Sequence, residues 1–262
     1  MGRKAEIDNR VLKIGLKKKI DHAVGKAIHD WDMIKENERI LVGISGGTDS
    51  QVLLNILFAL KKKAPIHFDI LPVYIDSGFE GSFANQLKAY IENTYGALKI
   101  EYKDYGLLAH SDKNSENPCF LCSHLRRNNL FEMAKAQGCK KIALGHNKDD
   151  IIETLFINIF YAGKIGTMKP RQSFFNGSLD IIRPLSYVEK KDVTRFSQLL
   201  DLPEFKNTCP SANRTKRGEI RAMLEALYKQ NKNIKGNIFR SMGNISTDYL
   251  LDCRNDRHSE ST

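Results

Sequence analysis

Ile40-Leu41-Val42-Gly43-Ile44-Ser45-Gly46-Gly47-Thr48-Asp49-Ser50 is the stretch that decides the fold. Its first five residues make a short, uninterrupted apolar run, as a strand buried on both faces of a parallel sheet requires. Immediately downstream, Val52, Leu53, Ile56 and Leu57 fall at helical spacing. A glycine-rich turn between a strand and a helix N-terminus aims free backbone N–H groups at one point, where the helix dipole also favours negative charge. That is the chemistry of a phosphate cradle. The turn lacks the Gly-Lys-Ser/Thr ending of a Walker loop, so backbone and hydroxyl donors would hold the phosphates. Ser45, Gly46, Gly47, Thr48, Asp49 and Ser50 are its candidate ligands. A serine-capped helix after a tight turn, with no ligand, reads the same way.

Outward from this unit, strands and helices alternate. Residues 20–34 predict a basic amphipathic helix ahead of the first strand. Strands are predicted at 68–75, 98–102, 140–144 and 181–182, and helices at 83–95, 123–137, 149–161, 192–200 and 219–229. Residues 104–118 are polar and read as a loop, and 163–180 as a basic crossover. Alternation of this kind implies βαβ units, a parallel sheet and right-handed crossovers. Ligands of such sheets bind beyond the carboxyl ends of the strands, where the Ser45 turn, Asp76 and Gly145-His146 all lie.

The chain has 262 residues, 41% hydrophobic and 27% charged, as ordinary soluble globular proteins have. No apolar run is long enough to span a bilayer, and Glu153 breaks the best candidate at 151–160. The N-terminus has no apolar signal core, and Glu6 spoils a myristoylation pattern. A cytoplasmic protein with no membrane partner is expected. The net charge of +10 is clustered at residues 1–19, 206–217 and 229–240. Clustered cations favour a polyanion through counterion release, though a merely soluble basic surface has the same composition.

Five cysteines, an odd number, argue against a disulfide framework in such a compartment. Cys119 and Cys122 stand one helical turn apart at the mouth of a helix carrying Arg126 and Arg127, a setting expected to favour thiolates. Cys209 is distant in sequence, while Cys139 and Cys253 read as structural or incidental. The spacing alone leaves three options open: an iron–sulfur cluster, zinc with help from His124, or no metal.

Read in order, the motifs are Ser45-Gly46-Gly47-Thr48-Asp49-Ser50, Pro118-Cys119-Phe120-Leu121-Cys122, Leu144-Gly145-His146 followed by Asp149-Asp150, Ile182-Arg183-Pro184-Leu185, and Cys209. The set resembles the family of tRNA 2-thiocytidine biosynthesis proteins, within the PP-loop enzymes that split ATP into AMP and pyrophosphate. The resemblance spans most of residues 18–250. It implies an α/β fold with a Rossmann-like parallel sheet covered by helices on both faces, as in adenine nucleotide alpha hydrolases. Residues 1–34 would be a basic helical extension, 35–230 the ATP-binding domain with its cysteines, and 231–262 a basic tail. The resemblance further implies a homodimer using ATP and Mg2+, a 4Fe-4S cluster on Cys119, Cys122 and Cys209, and sulfur insertion at C2 of cytidine 32 of tRNA. A cysteine desulfurase is the implied sulfur supplier.

On this resemblance, Asp49 is the candidate for magnesium, and Asp76, Gly145 and His146 are candidates for adenosine. Arg126, Arg127, Lys164, Lys169, Arg171, Arg183, Arg214, Lys216 and Arg217 are candidates for the tRNA backbone. Asp149 and Asp150 would orient magnesium or the base, or simply cap their helix. Two departures stand out. Thr48 replaces a lysine frequent in the family, removing one cation from the phosphate loop, and the residues after Cys209 are unlike the usual family wording. Two other functions fit the same motifs: a PP-loop enzyme acting on another tRNA base, and a metal-dependent nucleic-acid-binding regulator without catalysis.

Overall fold

The computed structural model describes residues 2–205, 208–211 and 216–251, with side chains from residue 11 onward. Six strands form one sheet: β1 (Glu38–Ile44), β2 (Phe68–Asp76), β3 (Lys99–Tyr102), β4 (Lys141–Ala143), β5 (Arg171–Phe174) and β6 (Leu179–Ile182). Their spatial order is β3-β2-β1-β4-β6-β5. All neighbours pair parallel except β5 with β6. The mainly parallel α/β sheet expected from the sequence is present. The antiparallel edge strand is an addition, because Arg171-Gln172-Ser173-Phe174 has no apolar alternation to announce it. An ion pair holds that edge, Arg171 to Asp180 at 3.0 Å.

Around the sheet lie α1 (Gly2–Asp30), α2 (Thr48–Lys61), α3 (Ala84–Tyr95), α4 (Tyr105–Ala109), α5 (Pro118–Ala136), α6 (Lys148–Ala162), α7 (Lys190–Leu199), α8 (Lys216–Gln230) and α9 (Ile234–Ser241). Strand β1 shows why both faces are covered. Ile40, Val42 and Ile44 join a core built with α1, α2, α3 and α7, whereas Leu41 points into a second core with Met133 and Ala134 of α5. Val52, Leu53, Ile56 and Leu57 of α2 are buried as their spacing predicts. Each stabilises the fold by about 1.5–3 kcal/mol. A third cluster joins Ile152 of α6 to Ile220 and Leu224 of α8, with Ile238 and Phe239 of α9 packed against it.

Other elements also differ from the sequence prediction: α1 begins at Gly2 rather than 20, and α9 lies within the expected tail. The first helix ends at Asp30 rather than 34, and Asp32 turns the chain with φ of 46°. The polar segment 104–118 contains α4. The cysteine helix starts at Pro118 rather than 123, because Asn117 caps it by accepting from the N–H groups of Cys119 and Phe120, and proline suits the first helical position. Cys119 and Cys122 therefore belong to the first turns of α5.

The chain order reverses between β1 and β4, so a crevice opens beyond their carboxyl ends. Val42 pairs with Ala143, which brings Ser45 and His146 off the sheet at the same level. Among the described residues, no helix is long and apolar enough to cross a membrane.

Candidate active site

The phosphate loop is held from within. Ser50 Oγ donates to the Gly47 carbonyl at 2.8 Å and accepts from the Ser45 N–H at 3.1 Å. Gly46 adopts φ of 79°, and a Cβ there would lie 2.5 Å from the Phe83 ring. Glycine is required on both counts. Gly47 is the N-cap of α2 and offers no side-chain cap, leaving this helix end to an external acceptor.

The loop after β4 closes against it. A Cβ on Gly145 would sit 2.9 Å from the Ser50 nitrogen and 3.1 Å from the Asp49 carbonyl oxygen. Asn147, the N-cap of α6, accepts from the N–H groups of Asp149 and Asp150, while Asp150 accepts from the Asn147 N–H. Asp150 thus completes a capping box. Asp149 accepts from Lys235 of α9 at 2.6 Å and from the Lys190 N–H at 2.8 Å. Asp49 receives Lys190 Nζ on both oxygens, at 2.6 and 2.8 Å, and Asn147 Nδ2 at 3.3 Å. Burial pushes the Asp49 carboxyl above its ordinary value, against the pull of Lys190.

Two cavities open here. One of about 620 Å³ lies over Ser45, Asp49, Ser50, Gly145, His146 and Arg183. The other, of about 410 Å³, is lined by Cys119, Cys122 and Cys209 together with Asp76, Ser82 and His110. Ser45, Ser123 and Arg126 line both. The cysteine cavity and the phosphate-loop cavity are therefore neighbours. His146 is pushed down to about 3 by burial and by Arg183 and Arg217, so its imidazole is neutral, and its Nδ1 is buried with no partner. Asp76 faces the cysteine cavity, with its carboxylate accepting from the Gly78 N–H and the Ser82 hydroxyl.

The Cys119 thiol does not behave as the sequence predicts. Burial, followed by the neighbouring Cys209 and Cys122, pushes the Cys119 thiol up, so Arg126 and Arg127 do not dominate its ionisation. Cys209 is brought in by its lead-in segment, since Gln51 Nε2 donates to the carbonyls of Gly46 and Pro203, and Phe205 stacks on Phe83. His110 Nε2 holds Ser211 Oγ at 2.8 Å. His124 engages Arg127 and Asn128 and is not among the residues lining the cysteine cavity. Cys139 is buried in the α5 core, and Cys253 lies outside the described residues.

The cations proposed for tRNA divide. Lys164, Lys169 and Lys216 are exposed; at the nucleotide cavity Arg126 is half-buried and Arg127 exposed. Arg183 is 5% exposed, donates to the Lys169 carbonyl and faces that cavity, with burial lowering it to about 10. Arg171 is spent on Asp180 and Asp32, and Arg217 on Glu153 and Asp150. Burial and pairing, which a lone basic letter does not reveal, separate these three from an exposed phosphate-binding face. Arg214 lies outside the described residues. The sequence also hides Lys190, Glu153, Arg221 and Lys235, whose partners are remote in the chain. Asn147 alone had a local signal, the Asn-x-x-Asp spacing of a capping box.

A family profile for the PP-loop domain matches residues 15–231. The tRNA-cytidine(32) 2-sulfurtransferase of Geobacter sulfurreducens is 36% identical over 238 residues, covering 90% of this chain and 93% of the relative. This chain belongs to that family of PP-loop proteins. The family's enzyme from Shewanella denitrificans is 40% identical, over 90% of this chain and 74% of its own. Among solved structures, the U34-tRNA thiolase NcsA from Methanococcus maripaludis, with its [4Fe-4S] cluster, shares the fold at a TM-score of 0.75. It is 23% identical, with 92% of this chain and 82% of that chain covered.

Proposed function

We infer that this protein is an ATP-dependent tRNA sulfurtransferase that replaces O2 of cytidine 32 with sulfur. The carrying observation is that Cys119, Cys122 and Cys209 open onto one cavity that shares Ser45, Ser123 and Arg126 with the cavity over the phosphate loop. Activation and sulfur delivery are thereby adjacent. A carbonyl oxygen is a poor leaving group, so cytidine O2 attacks the α-phosphate of ATP and pyrophosphate departs. Sulfur then displaces the oxygen, which leaves as part of AMP. The N–H groups at the start of α2 and the Ser45 and Ser50 hydroxyls take the charge of the departing pyrophosphate. Asp49 positions magnesium, and Gly145 and neutral His146 line the nucleoside side. Asp76 orders the loop beside the cysteines. Arg126, Arg127, Lys164, Lys169 and Lys216 serve the tRNA backbone.

The three thiols fit a 4Fe-4S cluster. Among the described residues no three His, Cys, Asp or Glu side chains form a group that could hold a single metal ion, and His124 is absent from the lining of the cysteine cavity. Three thiols spread around a cavity suit a cluster with several irons better than one zinc ion, which wants four close ligands. Such a cluster, when bound, supplies an iron without a protein ligand that can hold hydrosulfide. A homodimer and a cysteine desulfurase as sulfur source complete the reading, in a cytoplasmic setting.

Mass spectrometry of tRNA nucleosides from cells lacking this protein tests it. Loss of 2-thiocytidine, restored by the wild-type chain and not by Cys209→Ala, is expected. Unchanged 2-thiocytidine, or loss of a different thionucleoside, overturns the assignment.

A further inference from the structure

Arg183 follows β6 directly and is 5% exposed, yet among the described residues no carboxylate pairs with it. Its backbone N–H donates to the Pro170 carbonyl at 2.8 Å, and its guanidinium to the Lys169 carbonyl at 2.6 Å. One segment thus fixes both root and tip. Its Nε is buried with no partner. Burial and the like charge of Arg127 both disfavour its charged form. A buried guanidinium without a carboxylate is costly, and such a group in a cleft points to a ligand that supplies the anion.

The cavity over the phosphate loop shows the same imbalance. Arg126, Arg127 and Arg183 line it against two acids, Asp49 and Asp150. Lys190 already engages Asp49, and Arg217 engages Asp150. Arg126 Nε, like Arg183 Nε, is buried without a partner. Two unpartnered guanidinium nitrogens on one cavity are donors left for an oxyanion.

The sheet order says which oxyanion. Val42 lies beside Ala143 and Ala143 beside Ile182, so Ser45, His146 and Arg183 leave three neighbouring strands at the same end. The N–H groups of α2, after β1, suit the two phosphates that depart together. Arg183 is rooted two strands away, about 10 Å across the sheet, beside the part of the nucleotide that stays. A polynucleotide backbone meets the exposed Lys164 and Lys169 first, whereas a guanidinium this buried suits a group that enters the cavity.

We propose that Arg183 binds the α-phosphoryl group of ATP, the group that leaves as AMP, rather than the tRNA backbone. In the activating step cytidine O2 forms a bond to that phosphorus, and the bond to pyrophosphate breaks with its electron pair going to the leaving group. Arg183 offsets the charge on the phosphoryl oxygens and keeps its hold until AMP carries the former O2 away. No proton passes through it. The inference rests on the ATP-splitting reading above.

The test is calorimetric titration of anaerobically purified full-length protein with AMP, with magnesium pyrophosphate and with tRNA, beside a thermal melt. Arg183→Met should weaken AMP binding about tenfold or more, while pyrophosphate and tRNA affinities stay within about threefold. Its melting temperature should hold or rise, since an unpaired buried charge is removed. Arg183→Lys, which keeps the charge and loses the fork, should recover part of the AMP affinity. Unchanged AMP affinity, equal losses for AMP and pyrophosphate, or a loss confined to tRNA overturns the proposal. An Arg183→Met chain that melts lower or does not fold also overturns it, because the guanidinium then serves the fold. A wild-type chain that releases no pyrophosphate from ATP with tRNA present overturns the ATP-splitting reading itself.

Discussion

Gln51 Nε2 lies 2.9 Å from the carbonyl oxygen of Pro203, and 3.0 Å from that of Gly46. One buried amide on α2 thus ties the phosphate loop to the segment that carries Cys209. Activation of the base and delivery of sulfur need a common geometry, and this amide bridges the phosphate loop and Pro203. Gln51→Leu should lower stability by about 1–3 kcal/mol by leaving buried carbonyls unpaired, measurable as a lower urea midpoint. Thiolation should fall more than ATP binding. Equal losses of the two would mean the amide only supports α2.

Cys209→Ala should abolish tRNA thiolation while nucleotide binding persists, because Cys209 faces the cysteine cavity and is absent from the lining over Asp49 and His146. Iron and acid-labile sulfide should fall with it in anaerobic preparations. A variant that still thiolates fully removes this cysteine from the chemistry.

Gly145→Ala would put a methyl group against the backbone of Ser50 and Asp49, atoms that cannot swing aside as a flexible side chain can. ATP binding should weaken by about tenfold or more, with overpacking costing about 1–3 kcal/mol of stability. Titration with a fluorescent ATP analogue checks the first and a thermal melt the second.

His146 gives a pH signature. Its folded-state value, about 3, lies below the ordinary 6.5, so the unfolded chain takes up the proton first. Stability from this group is full above about pH 6.5 and is lost as pH falls toward about 3, by at most about 1.4 kcal/mol per pH unit. His146→Gln cannot titrate and should show a flatter urea midpoint between about pH 6.5 and 4.5. Parallel curves for the two proteins would contradict the buried neutral imidazole.

Much of the framework is legible in the chain itself. The apolar run 40–44, the glycine turn and the helical spacing of Val52, Leu53, Ile56 and Leu57 are contiguous, so periodicity and turn chemistry act over a few residues and read directly. The same holds for α6, whose Asn147 and Asp150 cap it within one turn. Edge strand β5 escapes because polar residues on an exposed edge follow no alternation. The start of α5 is misplaced by five residues when the Asn117-Pro118 cap is passed over in favour of the later apolar spacing.

The sequence by itself determined the strand–turn–helix unit, the alternating α/β class and the order of its motifs, because each depends on neighbours in the chain. Only the tertiary structure decided that Cys209 meets Cys119 and Cys122, that Lys190 faces Asp49, and that Arg183 is buried while Lys164 is exposed. Those outcomes follow from a sheet order that sets β4 beside β1 and from helices packed across it. Electrostatic and ligand-forming contacts act through space, and separation along the chain carries no record of them until the chain is folded.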